Sequence, residues 1–254
     1  MSVLHKEVRL SPRTPERELG IRTRRAFLTL GVGAVAGYGA WRWLQTRPQE
    51  GSIPEPFRGM LRFNERLERD FFSEHRLARS FPANRVQPIR PNGLLGLSGD
   101  FDPSQWQLNI NQGPGTVKAV TLDEIRTLPR IEQTTQLNCI EGWSVVIHWT
   151  GARFSDFCAK FAPGALQRRY VGMQTPGQEY YVGLDMRSAL QSQTLLCYEM
   201  NGAPLATENG APLRLVIPTK YGIKNIKRIG TITYTDQRPA DYWAEEGYDW
   251  YAGL

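Results

Sequence analysis

Asn138-Cys139-Ile140-Glu141-Gly142-Trp143-Ser144-Val145-Val146-Ile147-His148-Trp149-Thr150-Gly151 is the stretch on which the reading of this chain turns. Ser144–Trp149 is a short apolar run rich in β-branched and aromatic residues, which predicts a buried strand. Gln136–Cys139 predicts a second strand, and Glu141-Gly142 a turn between the two, because glycine permits a sharp reversal and close backbone approach. Cys139 therefore ends a strand and faces a glycine turn. A thiolate so placed can bind a soft metal, or the side chain can be a small core hydrophobe. Cys158, between Phe157 and Phe161, and Cys197, in Leu195-Leu196-Cys197-Tyr198, read as core residues. His148 reads as a strand residue with its hydrogen bonds satisfied.

Outward from this stretch the chain is rich in strands. Trp106–Ile110 alternates, Gln112–Gly115 turns, and Thr116–Val120 returns. Tyr170–Met173, Leu195–Met200, Leu213–Ile217 and Arg228–Tyr234 predict further strands, and Asn201-Gly202 is a hairpin signal. Helices are few. Thr121-Leu122-Asp123-Glu124 is a capping box opening a short helix to Leu128, Phe154–Phe161 predicts another, and Phe57, Met60, Leu61, Asn64, Leu67 and Phe71 recur at helical spacing within 56–80. Phe81–Gly99 is a long irregular loop, of the kind that is functional or packed on something. The pattern is α+β with segregated elements, dominated by sheet: one domain over 49–254, after a leader over 1–48 and a linker at Gly51–Pro56.

The leader carries most of the charge. Of 31 Lys and Arg and 25 Asp and Glu in 254 residues, the first fifty hold nine basic and four acidic residues, so the remainder is close to neutral. A nucleic-acid footprint spread over the domain is thereby excluded, while a local anion site is not. Arg22-Thr23-Arg24-Arg25-Ala26-Phe27-Leu28 precedes an uncharged run and has the layout of an export signal of the twin-arginine type, used for proteins exported already folded. The run from 26 to 44 approaches the roughly 20 residues needed to span a bilayer, so an uncleaved inner-membrane anchor with a periplasmic domain is the expectation. No Gly-rich phosphate loop and no nucleophile elbow is present, and His5, His75 and His148 are scattered.

The Asn138–Gly151 stretch resembles the cofactor-cysteine segment of the sulfite-oxidase family of molybdenum enzymes, nearest its bacterial branch containing the periplasmic protein-methionine-sulfoxide reductase catalytic subunit. Leu195–Leu205, Asn209–Pro218 and Lys220–Lys227 follow in family order, and the resemblance covers about residues 80–240. It implies a molybdopterin-binding fold and a molybdenum–molybdopterin cofactor. Cys139 matches the thiolate that binds the metal. Asn209 and Arg214 match residues holding the pterin and its phosphate, and Asn225-Ile226-Lys227 the turn that closes over the phosphate. Thr175 matches a pterin-contacting threonine, and Asn84-Arg85 an Asn-His pair in the family. Tyr180 matches an active-site tyrosine, with Tyr181 one residue away. Taken without the resemblance, Arg214 reads as an edge-strand arginine, and Lys220, Lys224, Lys227 and Arg228 as a solvated basic face.

The resemblance also implies oxygen-atom transfer at molybdenum on a sulfoxide or another small S- or N-oxide. Electrons would come from a separate membrane cytochrome b or soluble c-type cytochrome, since no haem-attachment motif is present. The further dimerisation and haem domains of animal and plant sulfite oxidases have no counterpart here. Ile140-Glu141-Gly142-Trp143 replaces the arginine-rich segment that helps bind sulfite. Sulfite oxidation and a non-catalytic cofactor-binding module are the alternatives. The run Asp241–Tyr251 is acidic and aromatic, and reads either as a docking face or as a tail packed over the core.

Overall fold

The computed structural model describes residues 15–50, 53–73, 75–88, 93–97, 101–113 and 115–254. Parts of the expected linker, of the Phe81–Gly99 loop and of the 112–115 turn lie outside them. The chain divides into two units: Met1–Glu50 with Pro54–Pro56, and Gly51–Ile53 with Phe57–Leu254.

The first unit is built on helix α1 (Pro15–Gln45). Its apolar run is diluted by Gly31, Gly33, Gly37 and Gly39, and by Tyr38 and Arg42. No helix among the described residues is long and apolar enough to cross a membrane. The stretch 26–44, expected as an anchor, lies within α1.

Short strands β1 (Gln49–Glu50) and β2 (Ile53–Pro54) precede α2 (Glu55–Phe71). That helix ends nine residues before the expected Ser80. Beyond it Gln191 and Gln193 take over the backbone: the Gln193 side chain accepts from the Ala78 N–H and donates to its carbonyl (2.7 and 3.0 Å), and Gln191 donates to the Arg76 carbonyl (2.8 Å).

Two five-stranded sheets form the second unit. The first joins β5 (Ile131–Asn138), β6 (Ser144–Arg153), β9 (Leu195–Met200) and β10 (Ala203–Pro204) in the order 10-9-6-5, with β11 (Arg214–Val216) also on β9. The second has the order 4-3-12-7-8, from β3 (Leu108–Gly113), β4 (Thr116–Val120), β7 (Tyr170–Gln174), β8 (Tyr181–Asp185) and β12 (Thr231–Thr235). Within it only the β3–β12 pair is parallel. Short helices α3 (Leu122–Arg126), α4 (Phe154–Phe161), α5 (Met186–Ala189) and α6 (Tyr242–Glu245) connect the strands. The Thr121–Glu124 capping box forms in full at α3, and Asn201 and Gly202 both take positive φ in the β9–β10 hairpin.

Strand β9 explains its own continuous apolarity. Leu196 and Tyr198 enter the larger core, while Leu195 and Cys197 enter a smaller core with Val145, Ile147 and Trp149. A strand buried on both faces has no polar side to show in its sequence. Gly151 is required where β6 bulges against β9, because a Cβ there would stand 2.2 Å from the Leu196 carbonyl oxygen.

Candidate functional site

The β5–β6 hairpin delivers Cys139 to the head of its turn. Asn138 pairs with Ser144 as the last rung of the ladder. The Cys139 N–H then donates to the Trp143 carbonyl (2.9 Å), and the Gly142 N–H, at φ +86°, returns to the Cys139 carbonyl (3.1 Å). The turn holds the Cys139 side chain at the edge of a cavity of about 200 Å³, with 7% of the residue exposed.

Six of the expected site residues line this one cavity: Cys139, Tyr180, Asn209, Arg214, Asn225 and Lys227. Arg214 arrives through β11, whose alternation sends Leu215 into the larger core and Arg214 and Val216 to the opposite face. Its guanidinium lies 5.0 Å above the Trp149 ring and donates to the Asn209 and Asn225 carbonyls (3.0 and 3.3 Å), while its buried Nε has no hydrogen-bond partner. No carboxylate of the described residues is paired with it. Burial lowers its pKa to about 10, opposed by the nearby Cys197 thiol.

Lys227 donates to the Gly93 and Glu208 carbonyls (3.0 Å each), and its pKa is lowered to about 8, by burial first and then by the Arg214 charge. Two cations thus lie close together on one wall, with Glu208 partly offsetting the charge of Lys227, an arrangement that a bound anion stabilises. Asn225 is occupied structurally: its Oδ1 accepts from the Ile217 N–H (2.8 Å) and its Nδ2 donates to the Tyr221 carbonyl (3.1 Å). Gly222 eases the close approach of the neighbouring turn, since a Cβ there would lie 3.3 Å from the Asn138 carbonyl oxygen.

Tyr180 and Tyr181 separate cleanly. Tyr180 lines the cavity and its hydroxyl donates to the Ile223 carbonyl, so it braces the Gly222–Lys224 turn; burial raises its pKa. The Tyr181 hydroxyl instead donates to Glu245.

The other expected residues are placed differently. Thr175 is buried behind the cavity, where its hydroxyl accepts from the Tyr180 N–H (3.2 Å). Ile226 is fully buried in the larger core. Asn84 and Arg85 do not reach the cavity: Arg85 lines a separate one, and the same loop sends Gly93 and Leu95 to Cys139's side instead. The reason is tethering further along the loop. Lys227 holds the Gly93 carbonyl, and Arg228 donates to the Leu97 carbonyl (3.3 Å) while stacking 4.0 Å from the Phe101 ring.

Nor are Lys220, Lys224 and Arg228 a solvated face. All three are at most 2% exposed, against Tyr251, Asp241 and Phe101 respectively. His148 is a strand residue whose Nδ1 meets the Thr134 hydroxyl (2.9 Å). Trp243 and Tyr248 also line the cavity, with rings packed edge to face, and Trp250 and Tyr251 are buried. The acidic-aromatic run is therefore tail packing, and it completes one wall of the site.

Residues 96–243 match the family described as oxidoreductase molybdopterin binding domain. A putative protein-methionine-sulfoxide reductase subunit, YedZ1, of Azospira oryzae is 32% identical over 80% of this chain and 78% of its own. The protein-methionine-sulfoxide reductase catalytic subunit MsrP of Ralstonia nicotianae is 28% identical over 87% of this chain and 68% of its own. MsrP of Xanthomonas axonopodis is 36% identical over 56% of this chain, which spans about half of that relative's length (51%). Among solved structures, the sulfane dehydrogenase SoxCD of Paracoccus pantotrophus aligns with a TM-score of 0.49 at 18% identity, over 55% of this chain and 40% of that one. With the resemblance carried by the Cys139, Asn209–Pro218 and Lys220–Lys227 blocks, the family match and the Azospira oryzae relative establish that the chain belongs to the oxidoreductase molybdopterin-binding domain family and is a molybdenum-dependent oxidoreductase with molybdopterin as its cofactor.

Proposed function

We propose that this protein reduces a sulfoxide by oxygen-atom transfer, taking electrons from a separate cytochrome, and that residues 1–48 export it to the periplasm. The observation that carries the reading is the convergence of Cys139 with Arg214 and Lys227 on one cavity. The orphaned Arg214 Nε beside the Lys227 ammonium fits the phosphate of molybdopterin, and Cys139 is the thiol on that cavity able to reach its metal. When bound, the cofactor supplies the two-electron redox chemistry at molybdenum.

The chain's own residues supply placement and selection. Arg214 and Lys227 hold the anionic end and Asn209 lines the wall between them. Leu137, Ile147 and Met200 exclude water from the floor. Glu141 stands on the cavity's edge with its carboxylate accepting from the Trp143 indole (2.8 Å). A carboxylate on the rim of the cavity disfavours sulfite, an anion, and leaves a neutral sulfoxide unpenalised. Trp243 and Tyr248 offer an aromatic wall suited to an alkyl sulfoxide's apolar substituents.

Steady-state assays of metal-loaded protein with methionine sulfoxide and with sulfite test this reading. Turnover of the sulfoxide by an artificial reductant is expected. Turnover of sulfite alone would refute the substrate, and inertness with both would favour a cofactor-binding module. Export is tested by mass spectrometry of periplasmic material. Full-length protein in the membrane fraction is the expected result, and a mature chain starting near residue 45 would overturn the uncleaved tether.

A further inference from the structure

A second cavity, of about 700 Å³, is separate from the one that holds Cys139. It lies across the end of β5: Gln136 and Asn138 face it, with the Gln136 amide donating to Asn138 (2.8 Å), while Leu137 and Cys139 face the other cavity. Its volume falls within the range of roughly 300–1,000 Å³ seen for small-molecule sites.

Its walls are built rather than incidental. The side facing Ala78 is fixed by the paired Gln193 bonds, and Phe81 donates to the Thr134 carbonyl (2.9 Å). On the opposite side Glu68 accepts from the Gly253 N–H (3.1 Å). Leu67, Phe71, Phe81 and Tyr251 give an apolar surface.

The charges are one-sided. Arg76, Arg79 and Arg85 line the cavity, and none is paired with a carboxylate of the described residues. Beneath Tyr251 lies Lys220, whose Nζ has no hydrogen-bond partner, stands 3.9 Å from Asp185 and has its pKa lowered to about 7 by burial. The one acid among the described lining residues is Glu68, whose ionised form burial disfavours. An apolar chamber rimmed by unpaired guanidinium groups selects a ligand with an apolar body and a single negative charge.

We propose that this cavity binds an amphipathic monoanion, an alkyl or aromatic body bearing one carboxylate, with the body against Phe71, Phe81 and Tyr251 and the carboxylate at Arg76 and Arg79. The inference is independent of the sulfoxide reading, because no residue of the Cys139 cavity takes part. Calorimetric titration of the full-length, cofactor-loaded protein with decanoate, and in parallel with decan-1-ol, tests it. The expected result is one saturable decanoate site per chain, at least about ten-fold tighter than decanol. Arg76→Gln/Arg79→Gln should remove that ten-fold preference while leaving thermal unfolding unchanged, since both side chains are exposed. Leu67→Gln should weaken both probes. Absence of a saturable site, equal affinity for the alcohol, or decanoate binding unaffected by Arg76→Gln/Arg79→Gln would each overturn the proposal.

Discussion

Asp241 and Lys224 form an ion pair that is almost wholly buried, with side chains 2% and 0% exposed. Asp241 also accepts from the Gly183 N–H (3.0 Å) and from the Ala244 N–H (3.1 Å), capping α6, which carries Trp243 to the cavity. Asp241→Asn keeps an oxygen for the cap but removes the charge opposite Lys224. Breaking a buried pair from one side costs about 3–5 kcal/mol. Lys224 retains the Gly183 carbonyl (3.1 Å) and the Trp250 ring (4.8 Å), which places the loss near the lower end, about 3 kcal/mol.

Lys224→Met strands the carboxylate instead and should cost a similar amount. The double variant should be less destabilised than the sum of the two, by about 2 kcal/mol, because no uncompensated charge remains. Burial already lowers the Lys224 pKa in the folded protein. In Asp241→Asn the unfolded state therefore binds protons more tightly than the folded one, and stability should climb as pH rises from 7 to 9. Urea unfolding of the cofactor-free chain, followed by tryptophan fluorescence, measures all three variants. Single variants costing under about 1 kcal/mol, or strict additivity, would refute the argument.

Three further outcomes follow from the same geometry. Gly151→Ala should destabilise by about 3 kcal/mol, read as a lower denaturation midpoint, because the added methyl meets backbone rather than a movable side chain. Arg214→Met should leave the cofactor-free chain within about 1 kcal/mol of wild type, since it removes a desolvated charge along with its carbonyl bonds, yet should sharply lower molybdopterin content after purification. A Lys227 pKa near 8 means that the free site loses a positive charge as pH rises through that value. Binding of inorganic phosphate to the cofactor-free chain should thus weaken between pH 7 and 9 and be accompanied by proton uptake, measured by titration in buffers of different ionisation enthalpy.

Local sequence made the hairpin around Cys139 legible, because β-branched runs on either side of a glycine turn admit few alternatives, and α4 and β9 carry the bounds expected of them. Arg214 and Lys227 were legible from their blocks. What local reading could not supply was set by contacts distant in sequence. Lys220, Lys224 and Arg228 read as a solvated face, since their partners Tyr251, Asp241 and Phe101 lie far along the chain. The loop after Phe81 reads as functional or packed on something, with Asn84-Arg85 matching the family's Asn-His pair. Gly93 and Leu95 are the loop residues that line the cavity, because the tethers are Lys227 and Arg228. Gly222, between Tyr221 and Ile223 in a basic turn, is a signal of the close approach of Asn138. Strand β8 was missed because Tyr181–Asp185 is short and contains Gly183, against which Trp250 packs.

The central claim is that Cys139 holds the metal of a molybdopterin cofactor anchored at Arg214 and Lys227. X-ray absorption at the molybdenum edge, on wild type beside Cys139→Ser from a molybdate-supplied host, tests it most directly. The account predicts about one molybdenum per chain in wild type and one fewer sulfur ligand in the variant. Identical sulfur coordination in the two proteins, or well-folded wild type without molybdenum, would contradict it.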